Sequence, residues 1–503
     1  MKKKSIIIIY IFIVFCMVLS ACLLVACEKQ EIPQSAKIYT EHDSIRIDRA
    51  SEQFNVLTGV TAICNDNDIT DQIVVECSDK SVIIENGIAE FQKCGDYEFS
   101  YSLNAEKYIA ECVTVTVSVR NVYSVYLTNA TLPPLYCALD MASNNYKFIW
   151  FNDRGTVDTS VYGERAVCST WLGYTDEFNI SCDKFYELYK NDPYSYFRLF
   201  IPDARNQMLL KTVIKNEIPR ERYEVKYLSD GSMSYTLSFP YRDENAFDAW
   251  QTNVEIYDKM IELAKNDNEL SFNGVTLDDS YGAYELHAAY IRAAQQDNAE
   301  WWGAFPETLV SLDTKVNAEI EKAHLIKKLP ENMWADLSDE QKRNFLDSVS
   351  FDKESFDQTY FAKSGKYLIV TGTNPYTGSF TATEFLNVLD DIVTDYPNYN
   401  ILFKPHPASV PTPPESDQSD GVYEYMVEHD IAILPGHLPM EVISWVYGDA
   451  LIGGFDSSLY MSVPGKNVAF FIAENSESLS VVTKTLYDNG IFDNIKFYWG
   501  DEV

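Results

Sequence analysis

Between residues 41 and 120, apolar and polar positions alternate in short bursts. QIVVEC, SVIIENGIAEF, GDYEFSYSL and CVTVTVSVRN are β-branched or aromatic runs broken by Asn, Asp and Gly, which predicts the brief strands of an all-β sandwich. From residue 121 the grammar changes. VYSVYLT, YKFIWFN, YFRLFIP and YEVKYLS are apolar runs set apart by helix-length segments, the pattern of a parallel sheet flanked by helices. A helical block comes next, in which Trp250, Val254, Tyr257, Ile261 and Ala264 recur at alternating steps of four and three, one face of an amphipathic helix. Ser338 with Gln341, ahead of Phe345 and Leu346, predicts a capping box at the start of another. A second α/β set begins at KYLIVTGT and runs through ILFKPHP, IAILPG and ALIGGFDSS.

At the N-terminus, Lys2, Lys3 and Lys4 precede an apolar stretch from Ile6 to Ala26, as in an export signal or an uncleaved anchor. Leu24-Val25-Ala26-Cys27 matches the lipobox of bacterial lipoprotein signals, and Leu19-Ser20-Ala21-Cys22 matches it too. Cys27 is the expected lipidation site; a plain membrane-spanning anchor is the alternative. Either way the body is expected outside the cytoplasm, membrane-anchored on the bacterial cell surface. The expected organisation is a signal peptide at 1–27, a tether at 28–40 and the sandwich at 41–120. A first Rossmann-like domain with the helical block then covers 121–364 and a second covers 365–480. Residues 481–503 are expected to return toward the first of these.

Charge narrows the function. A net charge of −35 over 503 residues excludes a nucleic-acid binder, since phosphate backbones are held by basic surface. An anionic ligand must find a local positive pocket. Of the ten cysteines, Cys64, Cys77, Cys94 and Cys112 are candidates for disulfides with no pairing implied by their spacing, whereas Cys137, Cys168 and Cys182 read as buried small hydrophobes. No Cys and His grouping has metal-ligand spacing, so no metal is expected.

Two doubly wound units in tandem leave a cleft between them, and ligands of such sheets sit outside the carboxyl ends of the strands. Three strand ends there can carry chemistry. In ALIGGFDSSLYMSVP, Asp456, Ser457 and Ser458 come after a strand at the expected start of a helix, where hydroxyls and free backbone N–H groups suit a phosphate. In FKPHP, His406 stands between two prolines; a protonated imidazole so held can neutralise a departing phosphate or protonate it. In YEVKYLSDGSMSY, Asp230 ends a strand of the first unit and can act as general base toward a sugar hydroxyl. Taken singly, each has an ordinary reading: an N-cap, a structural histidine, an Asp-Gly turn.

Taken in order, SDGSMSY, FKPHP and SSLYMSVP resemble the Asp-Asp-Gly-Ser, Lys-Gly-His-Pro and Ser-Ser-Leu-Tyr stretches of the bacterial sialyltransferases of glycosyltransferase family 80. LTNATLPPL, WWGAFP, LSDEQKRNFL, VTGT and FYWGDEV are further similar segments, so the likeness runs from residue 121 to the C-terminus. It implies a GT-B fold, two Rossmann-like domains facing a cleft. It further implies an inverting, metal-independent transfer of sialic acid from CMP-sialic acid to a galactose-terminated glycan, without a cofactor. In that resemblance Asp230 is the general base, and His406 assists departure of CMP. Ser457 and Ser458 hold its phosphate, and Lys404, Pro407 and Glu441 contact the cytidine. Tyr376 and Arg154 lie on the acceptor side. The chain departs from the pattern at Ser229, where the family has Asp, at Pro405, where it has Gly, and at Tyr376, where it has Trp. GVTAICNDNDITDQIVVE with CGDYEFSYSL after it resembles bacterial immunoglobulin-like surface modules, which implies a spacer or, as the alternative, a carbohydrate-binding module. Two other functions fit the same sequence: a catalytically silent carbohydrate-binding surface lipoprotein, and a transferase using another CMP-activated acidic sugar. The linkage formed, α-2,3 or α-2,6, is left open.

Overall fold

The computed structural model describes residues 33–49, 53–128, 132–152, 157–171, 176–203, 208–229, 231, 234–235, 241, 243–265, 287–373, 380–406 and 421–499, with Met17. The leader, Cys27, Arg154, Asp230, Tyr376 and Pro407 lie outside the described residues. Two compact units divide at Asn121.

The first unit is all-β. Residues 34–40 were expected within the tether, but Gln34–Thr40 is a strand paired antiparallel with Val60–Cys64, because Ile38 is drawn into the core of the unit. Tyr97, Phe99 and Tyr101 on the strand Gly95–Ser102 face that core at every second position, as do Val115, Val117 and Val119 on its antiparallel partner. This is the period-two signature of a half-buried sheet. The disulfides expected as possible here do not form: none joins any of the seven described cysteines. Cys64 donates to Gln34 Oε1 at 3.3 Å, Cys94 to Asn121 Oδ1 at 3.4 Å, and Cys112 is exposed. Of the three later cysteines, Cys137 and Cys182 are buried and Cys168 is half-buried.

CVTVTVSVRN and VYSVYLT, two runs in the sequence, form one strand, β1 (Val113–Thr128). Its second portion opens a sheet with β2 (Lys147–Asn152), β3 (Ala166–Trp171), β4 (Ser195–Pro202), β5 (Tyr223–Leu228), β6 (Ala299–Gly303) and β7 (Leu325–Lys327). The strand order is β3-β2-β1-β4-β5-β6-β7, a doubly wound arrangement whose direction of winding reverses between β1 and β4. Helix Leu132–Ser143 packs on this sheet and is anchored by Asp140. The Asp140 carboxylate accepts from both terminal guanidinium nitrogens of Arg198, at 2.8 and 2.9 Å, and from the Tyr126 hydroxyl at 2.7 Å. Burial opposes the Arg198 charge, but the attraction of Asp140 outweighs it and holds the guanidinium protonated.

The helical block appears as Phe247–Lys265, with Trp250 buried as expected. The capping box is also present. Ser338 N donates to Gln341 Oε1 at 2.9 Å and Gln341 N to Ser338 Oγ at 3.3 Å, opening helix Asp339–Ser348.

The second sheet comprises β8 (Lys366–Thr371), β9 (Tyr399–Lys404), β10 (Ala432–Ile433), β11 (Leu451–Gly454), β12 (Val468–Ile472) and β13 (Lys496–Tyr498). Its order is β10-β9-β8-β11-β12-β13, with parallel pairing throughout. This repeats the winding of the first sheet. The C-terminal segment, expected to return toward the first half, places β13 beside β12 on the edge of this second sheet, because Tyr498 packs into its core. One hydrophobic cluster runs through both halves. Trp334, from the first half's side of the connection, stacks on Trp445 at 6.4 Å, and Phe361 lies flat on Tyr447 at 3.7 Å. The alternation of αβ units thus yields two Rossmann-like halves of GT-B type.

Candidate functional site

The carboxyl ends of β9, β8 and β11 form one row. Lys404 pairs with Thr371, and Thr371 with Gly454, so Lys404 and Gly454 stand two strand spacings apart, about 10 Å. The second sheet reverses its winding between β8 and β11, the point at which such sheets open a crevice for ligands. The candidate residues therefore flank β8, with His406 two residues beyond Lys404 and Ser457 and Ser458 just beyond Gly454.

A double glycine makes the close approach possible. A Cβ on Gly453 would lie 2.5 Å from the Phe470 ring, and one on Gly454 would lie 2.2 Å from both the carbonyl oxygen and Oγ1 of Thr371. Gly454 also has φ +152°, which side-chain-bearing residues rarely adopt. The chain leaves β11 pressed onto the end of β8, and Phe455 N donates back to Thr371 O at 3.3 Å.

The helix expected at Ser458 is a single 3-10 turn, Ser458–Met461, and Asp456 is turned away from it. The Asp456 carboxylate accepts the Thr483 hydroxyl at 2.5 Å and also the Ser480 backbone N–H, which ties it to the start of helix Val481–Asp488. Ser457 caps the turn, its Oγ accepting from Leu459 N at 3.3 Å, and keeps its O–H as a donor. The site therefore offers hydroxyls and turn N–H groups to an anion, with little helix dipole behind them.

On the other flank, Lys404 is 2% exposed, and its ammonium donates to Pro405 O at 2.8 Å and Gly436 O at 3.0 Å. Two of its three N–H groups thus pin the turn after β9 to the loop before helix Met440–Val446, which carries the buried Glu441. Burial pushes the Glu441 carboxyl up, partly offset by its own N–H and by Lys404. Burial likewise pushes the Lys404 ammonium down to about 8 from 10.5, against the attraction of Glu441. A lysine with a folded-state value below its unfolded one binds fewer protons in the folded state between the two. Its penalty is thus full below about 8 and fades as pH rises toward 10.5. Relative to wild type, Lys404→Met is expected to lose about 3 kcal/mol of stability across that window. Denaturant midpoints at pH 7, 9 and 10.5 read this directly; a difference that stays constant with pH refutes it.

His406 is half-buried and engaged with neighbouring groups. From the first half, Gly231 (φ +69°) meets Ser458: a Cβ built on it would lie 3.0 Å from Ser458 Cβ and 3.5 Å from its Oγ. Gly231, which follows Asp230 in sequence, is thus close against Ser458 of the second half. Ser229, where the resembling family has Asp, is buried; its hydroxyl lies 3.5 Å from Gly231 O and its N–H donates to Trp302 O at 2.9 Å. Sequence reading missed Thr371, Gly436 and Asp203 as residues that shape these strand ends. For Asp203 the signal was present, since YFRLFIPD ends in a carboxylate as YEVKYLSD does. Among the described residues, no group of three or more His, Cys, Asp or Glu side chains is placed to hold a metal ion.

No protein-family model matches the sequence, and no curated protein matches it. Solved structures do match in fold. A Vibrionaceae Photobacterium sp. 2,6-sialyltransferase, solved with donor product CMP and acceptor substrate lactose, superposes with a TM-score of 0.55 at 15% identity over 86% of this chain and 91% of that one. An α/β-galactoside α-2,3-sialyltransferase from Photobacterium phosphoreum gives 0.56 at 14% identity over 75% and 98%. The GT-B domain of a sialyltransferase from Photobacterium damselae gives 0.51 at 17% identity over 75% and 99%. The chain shares their fold.

Proposed function

We propose that the protein is an inverting sialyltransferase that moves sialic acid from CMP-sialic acid to a galactose-terminated glycan without a metal. The observation that supports the reading is the closeness of Gly231, next to Asp230 in sequence, to Ser458. In this reading Asp230 takes the proton of the acceptor hydroxyl as its oxygen bonds to the anomeric carbon. The bond from that carbon to the CMP phosphate oxygen breaks with its electron pair leaving on CMP. One displacement from the opposite side inverts the centre. The leaving phosphate is already anionic, so His406 and the Ser457 and Ser458 hydroxyls suffice to stabilise it as charge develops.

Lys404 and Glu441 set the floor of the cytidine subsite beneath them, with Pro407 beside it, and Tyr376 and Arg154 belong to the acceptor side. The fold shared with enzymes solved with CMP and lactose supports this assignment of donor and acceptor. Cys27 is the lipid anchor in the same reading, holding the body outside the cytoplasm.

Purified residues 28 to 503 are expected to release CMP from CMP-sialic acid when lactose is present, at a rate that EDTA leaves unchanged. CMP binding with no turnover on any galactoside would replace the proposal with a silent carbohydrate-binding protein. Turnover confined to a different CMP-activated acidic sugar would reassign the donor.

A further inference from the structure

We propose that Asp203 is a positioning residue that sets Ser229 and Gly231 with respect to Ser458; the inference rests on the transferase reading above and deepens it. Asp203 comes directly after β4, at the end of the row in which Pro202, Leu228 and Trp302 pair across three strands. It is 4% exposed, and its N–H donates to Leu228 O at 2.9 Å. Its two carboxylate oxygens bond to two different segments. Oδ1 accepts the Ser234 hydroxyl at 2.8 Å, three residues beyond Gly231, and Oδ2 accepts the Trp301 indole N–H at 2.7 Å, from β6.

Trp301 is itself immobilised. Tyr290 stacks on it at 5.6 Å and Tyr235 meets it edge-on at 5.7 Å. Gly303 is bare because a Cβ there would lie 2.1 Å from the indole. The Tyr235 hydroxyl accepts Phe305 N at 2.9 Å, and Trp302 O accepts Ser229 N. WWGAFP, a segment given no chemistry by the sequence, is thus the buttress behind Ser229, and Asp203 links it to Leu228 before the turn and Ser234 after it. A buried carboxylate is costly to desolvate, and well-packed apolar groups stabilise as well or better. What the carboxylate adds is direction: two charge-assisted hydrogen bonds of fixed geometry. Geometry matters here because a displacement of about 1 Å at a reacting group can cost roughly 10²-fold in rate.

The test uses the purified protein with CMP-sialic acid and lactose for transfer and with CMP for binding. Asp203→Ala is expected to lower kcat roughly 10²-fold and Ser234→Ala about tenfold, by the same misplacement. KM for lactose and the CMP dissociation constant should stay within about twofold, since neither group lies on the nucleotide wall. Asp203→Asn, which keeps the shape and an acceptor for the indole, should recover at least about tenfold over Asp203→Ala. If Asp203→Ala does not fold, the other two variants decide. Wild-type kcat in both of them, with wild-type protein active, overturns the inference and leaves the transferase reading intact. Parallel losses in kcat, CMP affinity and melting temperature also overturn it, since they mark a merely structural role. A wild-type protein without transfer removes the reading and this inference with it.

Discussion

Asp230→Asn and His406→Ala are each expected to lower transfer from CMP-sialic acid to lactose by about 10²–10⁴-fold, the usual contribution of a positioned acid or base. In the proposed mechanism the two residues act at opposite ends of one displacement. Asn at 230 keeps the volume but cannot take the proton from the acceptor hydroxyl. Ala at 406 removes the ring that stands just past Lys404 and Pro405 at the end of β9, while Lys404, Glu441 and the Ser457 cap remain. CMP should therefore still bind to both variants, within about fivefold of wild type, because the loss lies in the transition state and not in the ground state. Steady-state CMP release and calorimetric titration with CMP separate the two effects. Transfer at wild-type rate by either variant sinks the proposed roles.

Asp140→Ala is the substitution expected to cost the α/β unit most in stability, about 3–5 kcal/mol, because it strands a buried charge. Arg198 would keep Glu224 at 3.4 Å and the Ser124 hydroxyl at 3.2 Å, but lose its two-pronged partner. Tyr126, fully buried, would lose the acceptor of its hydroxyl, and burial together with Asp140 already keeps that hydroxyl firmly protonated. Tryptophan fluorescence reports this unit selectively, since all eight tryptophans lie beyond Asn121. The urea midpoint followed by that signal should fall for Asp140→Ala. Asp140→Leu with Arg198→Met should lose less than the single variant, as no buried charge is stranded and Glu224 keeps Lys226 at 3.3 Å. A single variant with the wild-type midpoint contradicts the account.

Much of the architecture was legible because it rests on local rules. Strands buried on both faces announce themselves as continuous apolar runs, and KYLIVT, YNILFK and YFRLFIP all became central strands. The Ser338–Gln341 box needs four residues and nothing else. Short or mixed strands escaped notice. AEWWG and LIK carry no period of their own and join the sheet through neighbours. Residues 34–40 read as tether because a seven-residue polar strand looks like any linker until Val60–Cys64 and Tyr108–Ile109 are beside it.

The same division holds at the candidate site. The sequence by itself determined the kind of groups at the strand ends: a carboxylate in SDGS, an imidazole between prolines in FKPHP, paired hydroxyls in FDSS. Side-chain chemistry is a property of the residue, and strand ends are signalled locally. Only the tertiary structure decided which of these groups meet and which are spent on structure. It put Gly231 against Ser458, committed Asp456 to the helix at Val481, turned the Lys404 ammonium onto two carbonyls, and gave Asp203 its place behind the turn. Those outcomes depend on contacts between residues that can be more than two hundred positions apart, as Gly231 and Ser458 are, and no periodicity or short motif encodes a distance across a cleft.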